Sequence, residues 1–274
     1  MENLKGKVAA VTGAASGLGR AMALAFADEG MDLGLADLSD LSEVRRAVEA
    51  KGVKASTMKV DVSRAEEVQK FCDSLKAVHV VCNNAGVAVS GAAWENSIDD
   101  WRWILGVNLW GVIHGVRSFA PRLIAQDEGH IVNTASVAGL ISPPASAAYN
   151  VTKHSVVTLS ESLHHDLRER GSRVGVSVLC PAYVPTGIAD SERNRPAGSV
   201  PGQLSEQTKA KQAMTRKAIA SGKLSADDVA HAVVAAIKQE RFYILTHAKI
   251  KGAIRARMED VLEARAPRNP LDPL

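Results

Sequence analysis

A chain of 274 residues with 46% apolar and 23% charged side chains has the make-up of a soluble globular protein and is long enough to bury a sizeable core. Its net charge of +3 is small and its basic residues are mixed with acidic ones, which argues against a nucleic-acid surface. Cys72, Cys82 and Cys180 lie far apart with no C-x-x-C, so packed, reduced thiols are expected rather than a disulfide framework or zinc site, and no apolar run is long enough to span a bilayer.

The N-terminal MENLKGKVAAVTG runs directly into an apolar strand without a signal-peptide layout, and a cytoplasmic protein is expected. KVAAVT (7–12) predicts a first strand, followed by a helix to residue 29, a strand MDLGLAD (31–37) and a helix through residue 50. The alternation continues with VKASTMKV (53–60), a helix over 64–75, AVHVVCN (77–83), a long helix over 98–125, and HIVNTAS (130–136). A helix around Tyr149 then precedes RVGVSVLC (173–180). An irregular polar segment over 185–224 comes next, then a helix opened by Ser225 with Asp228 three residues on, and RFYILT (241–246). Seven strands alternating with helices predict one α/β domain: a Rossmann-like, doubly wound parallel sheet. The 185–224 segment is long enough to be a lid over one face of it. Beyond the last strand, Ile250, Ile254, Met258 and Val261 recur at helical spacing and predict a C-terminal helix over 249–265. Its apolar stripe needs cover from its own subunit or a partner subunit, or else lines a substrate pocket.

Two local patterns carry chemistry. TGAASGLG (12–19) falls between the first strand and the first helix. There glycines permit positive φ and close backbone approach, and a helix N-terminus offers free N–H groups to a pyrophosphate. A plain tight turn would use the same residues. Asp37 ends the second strand twenty residues after Gly17, where a carboxylate can accept from a ribose diol or serve the start of the next helix. In YNVTK (149–153), Tyr149 and Lys153 stand at i and i+4 and share a helix face. A phenol next to an ammonium is a candidate acid/base device, although an amphipathic helix with a half-buried Tyr and a snorkelling Lys also fits.

With these residues in order along nearly the whole chain, the sequence resembles the classical short-chain dehydrogenase/reductase family. TGAASGLG is similar to that family's cofactor turn, Asp61-Val62 to its adenine-contacting pair, and Asn83-Asn84-Ala85-Gly86 to its fourth-strand motif. Asn108 resembles its helix asparagine, Ser136 its catalytic serine, and Tyr149-Asn-Val-Thr-Lys153 its signature. The resemblance implies Tyr149 as general acid/base, with Lys153 lowering its pKa and holding the nicotinamide ribose. It further implies Ser136 orienting the substrate oxygen and Asn108 supporting a water-linked proton path. It assigns cofactor contacts to Gly13, Ser16, Gly17, Leu18, Gly19, Asp37, Leu38, Asp61, Val62, Asn84, Tyr149, Lys153, Val184 and Thr186. Without the family, Ser136 reads as a turn or helix cap.

The sequence departs from the family at Pro181-Ala182, where Pro-Gly is usual, and carries His79 where many relatives have an acid; His79 is expected at the surface or at a strand edge. No histidine has metal spacing, and Asn150-Val-Thr152 has no bearing as a glycosylation sequon in a cytoplasmic chain. The resemblance implies an NAD(H)-dependent oxidoreductase of a secondary alcohol and its ketone, and a homodimer or homotetramer is expected, without metal, membrane or nucleic acid. The apolar run Val137 to Ile141, with Tyr183 and Ile188, implies a hydrophobic or aromatic substrate. An NADPH-preferring ketoreductase would want a basic residue near the adenosine ribose, and Arg20 is expected to point to solvent instead. A non-catalytic dinucleotide sensor would not need the Asn108, Ser136, Tyr149 and Lys153 set.

Overall fold

The computed structural model describes residues 1–272. The predicted alternation is present in full. In chain order it runs β1 (Val8–Thr12), α1 (Gly17–Asp28), β2 (Asp32–Asp37), α2 (Ser42–Glu49), β3 (Ala55–Lys59), α3 (Ala65–Ser74), β4 (Val80–Asn83), α4 (Ile98–Leu105), α5 (Gly111–Gln126) and β5 (His130–Thr134). The second half holds α6 (Ala147–Glu169), β6 (Gly175–Leu179), α7 (Glu206–Ala220), α8 (Ala226–Lys238), β7 (Tyr243–Ile244) and α9 (Ile250–Leu262). All seven strands are parallel, in the order β3-β2-β1-β4-β5-β6-β7, so the chain reverses its winding between β1 and β4. Strands buried on both faces read as short unbroken apolar runs because helices cover both sides. Met22, Phe26, Val233 and Ile237 of α1 and α8 pack one face. Phe71, Phe119, Leu123 and Leu167 of α3, α5 and α6 pack the other.

Four elements differ from the sequence reading. The helix predicted over 98–125 is interrupted by a π turn at Gly106–Trp110, where the Gly111 N–H reaches back to the Gly106 carbonyl. Such a bulge leaves hydrophobic periodicity almost unchanged, so the sequence shows one helix. The 185–224 segment is not irregular: it holds a 3-10 turn at Gly187–Asn194 and the fifteen-residue α7. Only Thr208 of α7 is buried, so that helix has no apolar stripe to read. In 241–246, only Tyr243 and Ile244 pair with β6. The α9 stripe does not dock in full on its own chain, since Met258 and Val261 are exposed while Ala256 and Asp260 are the buried positions.

Several local features can be set beside the sequence reading. The three thiols are free and buried. His79 precedes the central strand β4 and is partly buried rather than at an edge; its Nδ1 accepts the Val8 N–H at 3.0 Å, and burial holds its pKa below the usual imidazole value. Ser225 and Asp228 form a reciprocal capping box at the start of α8. Among the described residues, no helix is long and apolar enough to cross a membrane and no group of side chains could hold a metal ion.

Candidate active site

In open parallel sheets the crevice lies at the carboxyl ends of the strands where the winding reverses, and the glycine turn occupies that position at the end of β1. Its glycines are structurally required. Gly13 has φ +67°, and a Cβ there would lie 2.8 Å from the Ala85 Cα; a Cβ on Gly19 would lie 2.0 Å from the Gly13 carbonyl oxygen. No side chain fits at either position, so backbone N–H groups line the concavity at the α1 N-terminus. Ser16 caps α1 by backbone conformation alone and leaves its hydroxyl uncommitted to the helix. Thr186 lies against Gly17, its Cβ 3.3 Å from where a Gly17 Cβ would stand, and Val184 is buried beneath. Leu18 packs partly on the core.

Asn84 ties this turn to the sheet. Its side-chain nitrogen donates to the Thr12 carbonyl at 3.0 Å, and its side-chain oxygen accepts the Thr134 hydroxyl at 3.3 Å. Asp37 ties it from the other side: one carboxylate oxygen accepts the Ala15 N–H at 2.9 Å and the other the Ser39 N–H at 2.8 Å. The start of α2 is served by Asp40 instead, which accepts the Ser42 N–H and hydroxyl at 3.2 and 2.7 Å. Each Asp37 oxygen retains acceptor capacity, because an ionised carboxylate offers about four lone-pair sites. Leu38 and Asp61 share a concavity of about 440 Å³ with Met58, Lys59 and Arg64. Val62 is buried, and its carbonyl meets His114 Nδ1 at 2.9 Å. Arg20 turns away from the turn to pair with Glu43 at 3.2 Å.

Deeper in the crevice the structure brings together Asn108, Ser136, Tyr149 and Lys153. Ser136 follows β5 in extended backbone; its Oγ accepts the Ala138 N–H at 3.2 Å, donates to the Pro181 carbonyl at 3.3 Å, and stands near enough to the Tyr149 phenol to pull its pKa down. The cap and the phenol's neighbour are thus one residue. Lys153 is 3% exposed; its Nζ donates to the Thr134 carbonyl at 2.9 Å and stands 5.6 Å from the centre of the Tyr149 ring. Asn108, fully buried in the π turn, accepts the Val87 N–H at 2.8 Å and donates to the Val87 carbonyl at 2.9 Å. Its amide therefore holds the loop after β4 in place.

Burial sets the protonation balance. It raises the Tyr149 phenol above its ordinary value, with Ser136 pulling the other way, and it lowers the Lys153 ammonium to about 8. The resemblance implies that Lys153 lowers the Tyr149 pKa; in the structure desolvation raises it, and the group that pulls it down is Ser136.

A phenol beside a serine hydroxyl, an ammonium near its ring, and a cradle of backbone N–H groups at the switch point suit dinucleotide-linked proton and hydride chemistry. A family model described as short chain dehydrogenase matches residues 7–197. The chain belongs to that family. A solved short chain dehydrogenase/reductase from Burkholderia phymatum, in complex with NAD, is 48% identical, covers 100% of this chain and 99% of its own, and superposes with a TM-score of 0.95. The CLA biosynthesis dehydrogenase/reductase of Lactiplantibacillus plantarum is 31% identical over 97% of both chains. The 1-deoxy-11-beta-hydroxypentalenate dehydrogenase of Streptomyces exfoliatus is 33% identical over 94% of this chain and 90% of its own.

Two contacts at this short-chain dehydrogenase's candidate site involve residues that the sequence reading did not name as site residues. Thr12 Oγ1 accepts the N–H groups of Asn84 and Ala85 at 2.9 and 3.1 Å, and Thr134 holds Lys153 through its backbone. A backbone carbonyl has no sequence signal. The Ser97/Asp100 capping box at the start of α4 did have one, as S-x-x-D before an apolar run.

Proposed function

We propose that this short-chain dehydrogenase transfers a hydride between NAD(H) and a hydrophobic secondary alcohol or ketone. The observation that carries this reading is the grouping of Ser136, Tyr149 and Lys153, with Thr134 and Asn84 linking Lys153 to the start of the glycine turn. The turn suits a dinucleotide, because a Cβ at Gly13 or Gly19 would clash with its backbone, and Asp37, which accepts the Ala15 N–H of the turn, keeps acceptor capacity for an adenosine ribose. A bound nicotinamide supplies the hydride acceptor or donor. Tyr149 takes the alcohol proton in oxidation and returns it in reduction, and the Ser136 hydroxyl near the phenol orients the substrate oxygen. Lys153, buried and cationic near neutral pH, favours the phenolate once the proton is to leave. Asn108 supports a water-linked proton path and holds Val87. The NAD complex of the Burkholderia phymatum relative supports the cofactor. The apolar run Val137 to Ile141 that follows Ser136 supports a hydrophobic substrate, and Val87, Val89, Trp103 and Ile104 form an apolar core cluster against which Tyr149 packs. Exposed Met258 and Val261 on α9 support a homo-oligomer, which light scattering checks.

A panel of secondary alcohols and ketones, followed by nicotinamide absorbance with each cofactor, tests this reading; binding of NADH without turnover of any of them would replace it with a dinucleotide sensor. Cofactor choice gives a sharper expectation. NADP would place a phosphate of about two negative charges where Asp37 stands. At about 4 Å and an effective dielectric of about 20, unit like charges repel by about 4 kcal/mol before screening. At least ~10-fold higher kcat/KM with NAD than with NADP is therefore expected, a conservative share of that limit. Asp37→Ser should narrow the gap, mainly by weakening NAD, and should also loosen the turn by releasing the Ala15 N–H. Equal efficiencies, or a preference for NADP, in the unmodified protein would show that Asp37 does not meet the ribose.

A further inference from the structure

The 185–224 insertion is fastened at a point that the proposed chemistry leaves unexplained. Arg195, at the end of the 3-10 turn, keeps only 10% of its side chain exposed. One guanidinium nitrogen lies 2.7 Å from Asp100 Oδ1, Nε lies 2.6 Å from Glu192, and the guanidinium carbon stands 4.6 Å from the centre of the Trp103 ring. Asp100 is itself buried: its other oxygen accepts the N–H groups of Ser97 at 2.9 Å and of Gly202 at 2.8 Å. Around this pair, Ser97 Oγ donates to the Val200 carbonyl at 2.6 Å, Asp99 accepts the Val200 N–H at 3.1 Å, and Glu95 accepts the Ser205 N–H at 3.1 Å and the Thr208 hydroxyl at 2.7 Å.

Burying an arginine and an aspartate costs desolvation that an ordinary surface loop avoids, so the pair points to a geometric role. Its ring partner supplies one. Trp103 packs with Val87, Val89, Ile104 and Ala148, with Tyr149 against the same cluster. Upstream, the buried Ser191 accepts the Ala88 N–H at 2.9 Å, while Asn108 grips Val87 from the other side. The loop over 87–89 is therefore held between the π turn and the insertion. We propose that Arg195 is a positioning residue for substrate: seated on Asp100 and Trp103, it fastens the insertion to α4 and completes the apolar wall beside Tyr149. Its kinetic consequence rests on the dehydrogenase reading; its structural consequence does not.

Three variants of the full chain test this: Arg195→Met, Arg195→Lys, and Arg195→Met combined with Asp100→Asn, which leaves no unpaired buried carboxylate. Thermolysin cleavage within 196–224, mapped by mass spectrometry, is expected to quicken at least ~10-fold in Arg195→Met and in the double variant, because cleavage tracks the population of the opened segment. Arg195→Lys should fall between, since an ammonium keeps the charge but not the planar fork or the stack. For a substrate found in the panel, KM should rise at least ~10-fold with a smaller change in kcat, and NADH affinity should stay unchanged. Cleavage of the double variant at the unmodified rate would overturn the clamp, as would cleavage spread over the whole chain with a matching loss of NADH binding, which would mark a merely structural residue. If no substrate is turned over by the unmodified protein, the dehydrogenase reading fails, while the cleavage rates still decide the clamp.

Discussion

Tyr149→Phe is expected to lower turnover by at least ~100-fold, the usual scale for a lost general acid/base. The substitution removes one oxygen and keeps the ring that packs against the Val87, Trp103 and Ala148 cluster, so the wall of the crevice is preserved. The variant should fold and bind NADH like the unmodified protein. Ser136 loses the phenol oxygen near it but keeps its bonds to Ala138 and Pro181, so it remains in place without a proton acceptor beside it. Both directions should suffer, since the same oxygen gives and takes the proton. Steady-state rates with NADH fluorescence titration check this, and retention of most activity would remove Tyr149 from the chemistry.

Lys153→Met is expected to abolish most turnover and weaken NAD, and yet to raise thermal stability near neutral pH. Burial lowers the Lys153 pKa from 10.5 to about 8, so below pH 8 the folded protein carries a desolvated ammonium at full cost. That cost amounts to at most about 3 kcal/mol at the scale of 1.36 kcal/mol per pKa unit. The Thr134 carbonyl loses a donor in the variant, which returns about 1 kcal/mol. A net gain of about 2 kcal/mol should appear as a melting point higher by roughly 4–8 °C. The pH dependence has a definite sign. Between pH 8 and 10.5 the unfolded chain binds more protons at this site than the folded one, so this residue's contribution makes stability rise with pH across that window and level off above it. The variant should lack that rise. Calorimetry at pH 7 and 10 decides it: an unchanged or lower melting point at pH 7 would mean that the buried ammonium is not a burden to the fold. A rate defect without loss of cofactor affinity would remove its ribose role.

Much of this architecture was legible one element at a time. The strand and helix alternation, the glycine turn and the Tyr149/Lys153 spacing are rules of the local backbone, and all reappear within a few residues of where the pattern places them. The α8 start was readable from Ser225 and Asp228 because a capping box is complete within four residues. The readings that needed revision concern segments whose signal is weak or ambiguous. The π turn that buries Asn108 adds one residue to a turn and hardly disturbs an apolar period, and α7 is too polar all round to show a face. Ala182, a departure from the family pattern, is accommodated with its N–H donating to His247 Nδ1 at 3.3 Å.

Local sequence suffices to specify a doubly wound parallel sheet, a backbone cradle after its first strand, and a phenol and an ammonium on one helix face. Each of these arises from periodicity, glycine stereochemistry or i,i+4 geometry, and none requires knowing what lies across the sheet. The groups those side chains meet are fixed by packing alone. Ser136 comes near Tyr149 because β5 ends beside α6, and the buried Lys153 finds a partner because a Thr134 carbonyl faces it. Asp37 closes the glycine turn while Asp40 takes the helix start, a division that two nearby carboxylates cannot reveal in a string of letters. The clamp on the insertion is the furthest from sequence. Ser97 and Val200 meet 103 positions apart, and Arg195 reaches Asp100 and Trp103 on the same helix. Long-range pairing of this kind is set by which faces the packed helices present to one another, and it leaves no mark in the residues on either side.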